Sequence, residues 1–291
     1  MTAELRWRER AARVSRALLV GSLYTVLPFV VFFNLARAEV DADIGFGILL
    51  VYAALGLTAA LALAASRVLR LDRPLTGSLL NSTIVANNGY LGYPLCAALL
   101  GFDSLGEAVI YDVLVASPVL FLGAFGIGAA FGTRAGETAG ERLRAFLTRN
   151  PPLLAAAAAL LAPDSLAPDA LVDASRIAVI ALLPLGFFVV GSALAEEGIE
   201  EGSARAVIAP GPDVATAVAL RLLVAPALLL LLALPLIDLP GTYLLIMAMP
   251  CGINTVVAAH VYGLDVRLSA RSVAWSTAVA SVAAVIAVAV W

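Results

Sequence analysis

The sequence predicts an all-α polytopic membrane protein of about nine transmembrane helices in two inverted repeats, with two broken helices. Three observations carry this expectation. First, 62% of the 291 residues are hydrophobic and 13% are charged, with a mean hydropathy of +0.99. A soluble domain keeps close to half its residues apolar and about a quarter charged. A hydrocarbon layer ~30 Å thick takes ~20 residues per helix, so about 180 apolar residues suffice for roughly nine crossings. Second, basic residues alternate between the loops. Third, two apolar runs are interrupted by amides, glycines and prolines at matching places. This composition excludes a soluble enzyme, a secreted disulfide domain and a nucleic-acid binder.

The apolar segments lie at 17–36, 44–66, 76–100, 107–131, 151–163, 174–195, 215–237, 241–261 and 268–290. The first contains Pro28 and Asn34 and ends at Arg37; the second ends at Arg67. The third follows Arg73 and carries the first interruption, and the fourth holds Asp112. The fifth is short, bracketed by Pro151-Pro152 and Pro163-Asp164, and is expected to tilt or to be extended by its loop. The sixth carries Pro184, the seventh holds Arg221 near its start, and the eighth carries the second interruption. The ninth follows the loop marked by Arg267 and Arg271. Ala36-Arg37-Ala38 fits a signal-cleavage pattern, but the run before it is too long and is broken by Pro28 and Asn34. Residues 1–291 therefore read as a single membrane domain.

All 18 basic residues are Arg, and 15 fall before the first segment or in every second loop thereafter. These include Arg6, Arg13, Arg70, Arg142, Arg205 and Arg267, while the opposite loops hold only Arg37 and Arg176. Positive residues stay cytoplasmic. The expected topology is a multi-pass protein of the cell membrane, with a cytoplasmic N-terminus and the C-terminus outside. Arg221 is expected to snorkel to the cytoplasmic headgroups, with anion attraction at the inner mouth as its alternative.

The third segment reads Asn87-Asn88-Gly89-Tyr90-Leu91-Gly92-Tyr93-Pro94 in mid-membrane, after Asn81-Ser82-Thr83. Proline removes a backbone donor and collides with the preceding turn. Backbone groups freed at that depth must face protein or a water-filled cavity. The eighth segment has the same character in Met249-Pro250-Cys251-Gly252-Ile253-Asn254-Thr255. Registering Gly101 on Gly263 sets Gly92 opposite Asn254 and Asn88 opposite Pro250, so both breaks fall at equivalent depth. Matching interruptions in two halves point to a transporter's binding site. The first repeat is expected over 14–132 and the second, of opposite topology, over 150–291.

Asn87, Asn88, Gly89, Gly92, Pro94, Pro250, Gly252 and Asn254 are accordingly the expected substrate-binding and crossover residues. Half-helix N-termini and amide side chains there offer donors for a carboxylate, in a pocket expected to hold no fixed cation. Ionisable residues inside spans are functional candidates, so Asp112, His260 and Arg221 are candidates for a proton or anion relay. Asp112 lies close enough to its segment end to be solvated. Cys96 and Cys251 sit in apolar runs without metal spacing, and His260 is the single histidine, so neither a metal nor another cofactor is expected. No nucleophile–base set suggests an enzyme.

The run Asn87-Asn88-Gly89-Tyr90-Leu91-Gly92-Tyr93-Pro94-Leu95 resembles the Asn-x-Gly-aromatic-x-Gly-x-Pro-Leu stretch of the auxin efflux carrier family. Met249 to Asn254 with Ala259-His260-Val261-Tyr262-Gly263, and Pro184-Leu185-Gly186 with Gly191-Ser192-Ala193-Leu194, are similar to further stretches of it. The resemblance implies the fold of bile-acid and sodium/proton antiporter-like carriers, in which inverted five-helix repeats have broken, crossing fourth helices. It implies transport of small organic anions, such as auxin-like monocarboxylates or dicarboxylates, by alternating access. Against the family pattern the first helix is missing, since residues 13–36 resemble the second. A homodimer seam through residues 17–36 and 174–195 is implied by the resemblance alone. The alternative reading is a membrane sensor that keeps the carrier fold and binds an organic acid without carrying it.

Overall fold

The computed structural model describes residues 14, 17–18, 21–37, 42–134, 138–148, 150–200 and 210–290. The N-terminal cluster Arg6 to Arg13 with Arg16, and also Arg149 and Arg205, lie outside the described residues. The described chain is helical apart from its loops and one short antiparallel bridge. It is an all-α polytopic membrane protein.

Five helices are long and apolar enough to cross a bilayer. They are α2 (Ala42–Val68), α5 (Phe102–Phe131), α8 (Asp169–Glu200), α9 (Pro212–Ala233) and α12 (Val266–Val290). Two shorter apolar helices are α1 (Gly21–Leu35) and α7 (Pro151–Leu161). The third expected segment is divided into α3 (Arg73–Ile84) and α4 (Tyr93–Leu99), with a π turn at Asn88–Gly92 leading into α4. The eighth is divided into α10 (Gly241–Met247) and α11 (Asn254–Tyr262). Both interruptions thus occur, but the first is narrower than the sequence suggests. Only Val85–Asn87 are extended, and Pro94 does not prolong the gap. It sits at the start of α4, directly after the π turn that accommodates its missing N–H.

One helix was not expected. α6 (Ala139–Thr148) lies in what reads as a loop. It starts on a reciprocal cap: Thr138 N donates to Glu141 Oε2 at 2.7 Å, and Glu141 N donates to Thr138 Oγ1 at 3.3 Å. The Thr138 backbone and hydroxyl donors hold the Glu141 carboxyl below its ordinary range.

Prolines shape the long helices in a repeated way. The π turns at Asn88–Gly92, Asp112–Ala116 and Leu220–Val224 each end two residues before a proline: Pro94, Pro118 and Pro226. A proline cannot bond the carbonyl four residues back, and a widened turn absorbs the mismatch. For Pro118 the orphaned carbonyl is that of Leu114, and it accepts from the Tyr52 hydroxyl of α2 at 2.6 Å.

The main core joins α1, α2, α4, α5, α7, α8, α9 and α10, with Tyr93, Tyr111 and Tyr243 fully or almost fully buried in it. α1 packs on α7 and α8, where Asn34 Nδ2 donates to Ser175 Oγ at 3.0 Å. α12 packs against α3, α8, α9 and α11. Large apolar side chains such as Leu57, Ile177, Leu231, Val282 and Ile286 remain exposed, as a lipid-facing surface requires. Gly186 of α8 lies against the π turn before α4: a Cβ there would stand 2.7 Å from Tyr90 Cβ. Gly186→Ala is expected to lower the melting temperature of the detergent-purified protein, overpacking of this kind costing about 1–3 kcal/mol. An unchanged melting temperature would show that the two elements separate freely.

Candidate functional site

The two interruptions meet. Ala86 and Cys251 form an antiparallel bridge, with Asn87 N donating to Pro250 O at 2.9 Å and Gly252 N donating to Val85 O at 3.0 Å. This pairing satisfies backbone groups that leave their helices mid-segment. Gly252 is required for the approach, because a Cβ there would stand 2.7 Å from Ala86 O. Cys251 is held from both sides: its N–H donates to Ser276 Oγ of α12, and its thiol donates to Ser82 O, each at 3.0 Å.

Arg221 closes the arrangement. Its side chain is 0% exposed, so the expectation that it snorkels to headgroups is overturned. The guanidinium donates to Met249 O at 2.8 Å and Met247 O at 3.1 Å, and to Thr83 O at 3.3 Å and Ile246 O at 3.4 Å. These carbonyls belong to the ends of α3 and α10, where unbonded oxygens and the negative end of the helix dipole converge. The expectation of a site without a fixed cation is corrected by the same finding. A guanidinium can leave the apolar core for headgroups only if nothing inside satisfies its donors, and here four carbonyls do.

Beside the crossing lies a cavity of about 500 Å³. Of the expected residues it brings together Asn87, Asn88, Gly89, Gly252, Asn254, Asp112 and Arg221. Gly92 and Pro250 support it from behind, by Gly92 N donating to Asn87 O at 3.1 Å and by the bond from Asn87 to Pro250. Pro94 is buried in α4. His260 stands apart from the cavity: its side chain is exposed, and its carbonyl accepts from Arg134.

The polar groups of the cavity differ in how they are engaged. Asn87 is 4% exposed and its Nδ2 has no hydrogen-bond partner. Asn88 Nδ2 donates to Asp112 Oδ1 at 3.3 Å, and Tyr93 lies close to the same carboxylate. Asp112 thus faces the cavity beside the crossing and is half-buried there. Asn254 opens α11 and is exposed to the cavity. Asn88, Asp112 and Arg221 all stand in proline-linked π turns, whose widened backbone turns each side chain toward the crossing. Among the described residues no group of acidic, histidine or cysteine side chains could hold a metal ion.

Sequence reasoning missed Asn150. It caps α7, with Oδ1 accepting from Leu153 N at 3.4 Å, and it lines the cavity with Pro151 and Pro152. The Asn-Pro-Pro sequence before an apolar run was a readable helix-start signal, but nothing in it placed that start beside the crossing.

Fold and cavity define a multi-pass membrane protein built around two interrupted, paired helices. Residues 147–288 match the model of the family described as membrane transport protein, a family of transporters that includes the auxin efflux carriers. No curated protein matches the chain.

Replacing Arg221 tests its role at the crossing. Arg221→Met leaves the carbonyls of Thr83, Met247 and Met249 without this donor, while Ile246 O keeps its bond from Met249 N, at about 1–3 kcal/mol for each buried group left unpaired. Arg221→Lys, with a single ammonium in place of a planar fork, restores part of that loss. The expected order of melting temperatures is wild type, then Lys, then Met; equal values would refute the role.

Proposed function

We propose that this transporter is a secondary carrier, an efflux carrier or permease, for small organic anions, working by alternating access around the paired interruptions. The observation that carries the reading is the Asn87 carboxamide, buried at the cavity wall with two N–H donors and no partner. Donors left unpaired in a protein interior are costly unless a ligand meets them. The start of α11 at Asn254 adds the positive end of a helix dipole to the same wall. Arg221 contributes positive potential, but its donors are engaged by carbonyls, so the amides make the direct contacts. The alternation of Arg among the loops supports a cytoplasmic N-terminus.

Asp112 supplies the coupling group in this reading. An anion and a carboxylate in one low-dielectric cavity repel each other, and a proton on the carboxylate removes that repulsion. The other ionisable side chains about it are Tyr93 on α4, Tyr111 on its own helix and Arg221 across the cavity. The anion then travels with a proton.

In proteoliposomes, Asn87→Ala and Asn254→Ala are expected to abolish flux of a carried organic acid while insertion remains normal. Full flux in both variants would refute the site, and ligand binding without flux in the wild type would favour a sensor. Wild-type flux is expected to rise as pH falls, because the protonated Asp112 is the competent form. Asp112→Asn is expected to transport with that pH dependence removed; a variant that keeps the wild-type profile would place coupling elsewhere.

A further inference from the structure

Asn150 is 3% exposed, and its Nδ2 has no hydrogen-bond partner, although it lines the cavity. The amide is not free to turn over, because Oδ1 is committed to Leu153 N. The start of α7 (Pro151–Leu161) carries the positive end of its dipole but has few donors of its own. Pro151 and Pro152 have no N–H, Leu153 N is taken by Oδ1, and Leu154 N bonds Asn150 O at 3.1 Å. The Asn150 carboxamide is thus the donor that this helix end presents to a ligand. α7 packs on α1 and beside the Asp112–Ala116 turn, so Asn150 belongs to a different part of the structure from the crossing.

We infer that Asn150 is a specificity-determining residue: its Nδ2 donates to a second acceptor group of the bound acid while Asn87 holds the first carboxylate. The site then prefers acids with an oxygen acceptor at both ends over acids ending in bare hydrocarbon. A ligand held this way bridges the crossing and the α1–α7 layer. This inference rests on the anion-carrier reading and adds a contact to it.

The test uses the full-length detergent-purified protein and two matched pairs of probes, succinate with butyrate and 4-carboxyphenylacetate with phenylacetate. Asn150→Ser keeps the helix cap, since Ser and Asn cap about equally well, but removes the carboxamide donor without adding a charge. Wild type is expected to bind the diacid of at least one pair about tenfold more tightly than its monoacid, the scale of one charge-assisted hydrogen bond. In Asn150→Ser that preference is expected to vanish, with the unliganded melting temperature retained. A diacid preference that survives in Asn150→Ser, or its absence from the wild type, overturns the inference, while monoacid binding by the wild type leaves the carrier reading standing. Asn150→Ala separates the two roles of the residue: a cap alone predicts a lower melting temperature with the preference intact. Binding of none of the four acids counts against both readings.

Discussion

A guanidinium buried among carbonyl oxygens sets the terms for the rest of this structure. Two helices stop in mid-segment, and each leaves oxygens that no bilayer can satisfy. Arg221 gathers oxygens from both ends, at Thr83 on one side and Ile246, Met247 and Met249 on the other. Burying a charge is costly unless it is paired or hydrogen-bonded, and terminating helices is costly unless their ends are met. Each cost is offset by the other. The short antiparallel contact between Ala86 and Cys251 fixes the register at which this happens.

The cavity follows from the same geometry. Negative helix ends converge on Arg221, leaving the starts of the resumed helices, with Asn87, Asn88 and Asn254, to face open space. The donors that hold the crossing and the donors that line the cavity are therefore different groups. Asp112 joins the wall through Asn88, on a turn displaced by Pro118.

Much of this was legible in the chain. Apolar runs mark the helices because length and composition alone decide what spans a bilayer, and Asn-Gly-Pro interruptions mark the breaks because few other reasons exist for them there. Arg221 was misread for a physical reason: its fate depends on carbonyls released by α3 and α10, more than 20 residues away in either direction, and hydropathy along one segment cannot register them. Asn150 escaped in the same way, since its cap is local but its position at the cavity is tertiary. Pro94 was weighed as a breaker without regard to its place at a helix start, directly after a π turn. α6 carried a readable Thr138-x-x-Glu141 cap and was passed over because its neighbours were polar.

The separation between what secures the crossing and what lines the cavity has a consequence for protein engineering. Side chains at positions 87, 150 and 254 can be exchanged for others of similar size without disturbing the charge that anchors the interrupted helices. If the cavity binds the proposed ligand, its ligand range is thereby a property that a small library of variants at these positions can tune, separately from the Arg221 anchor.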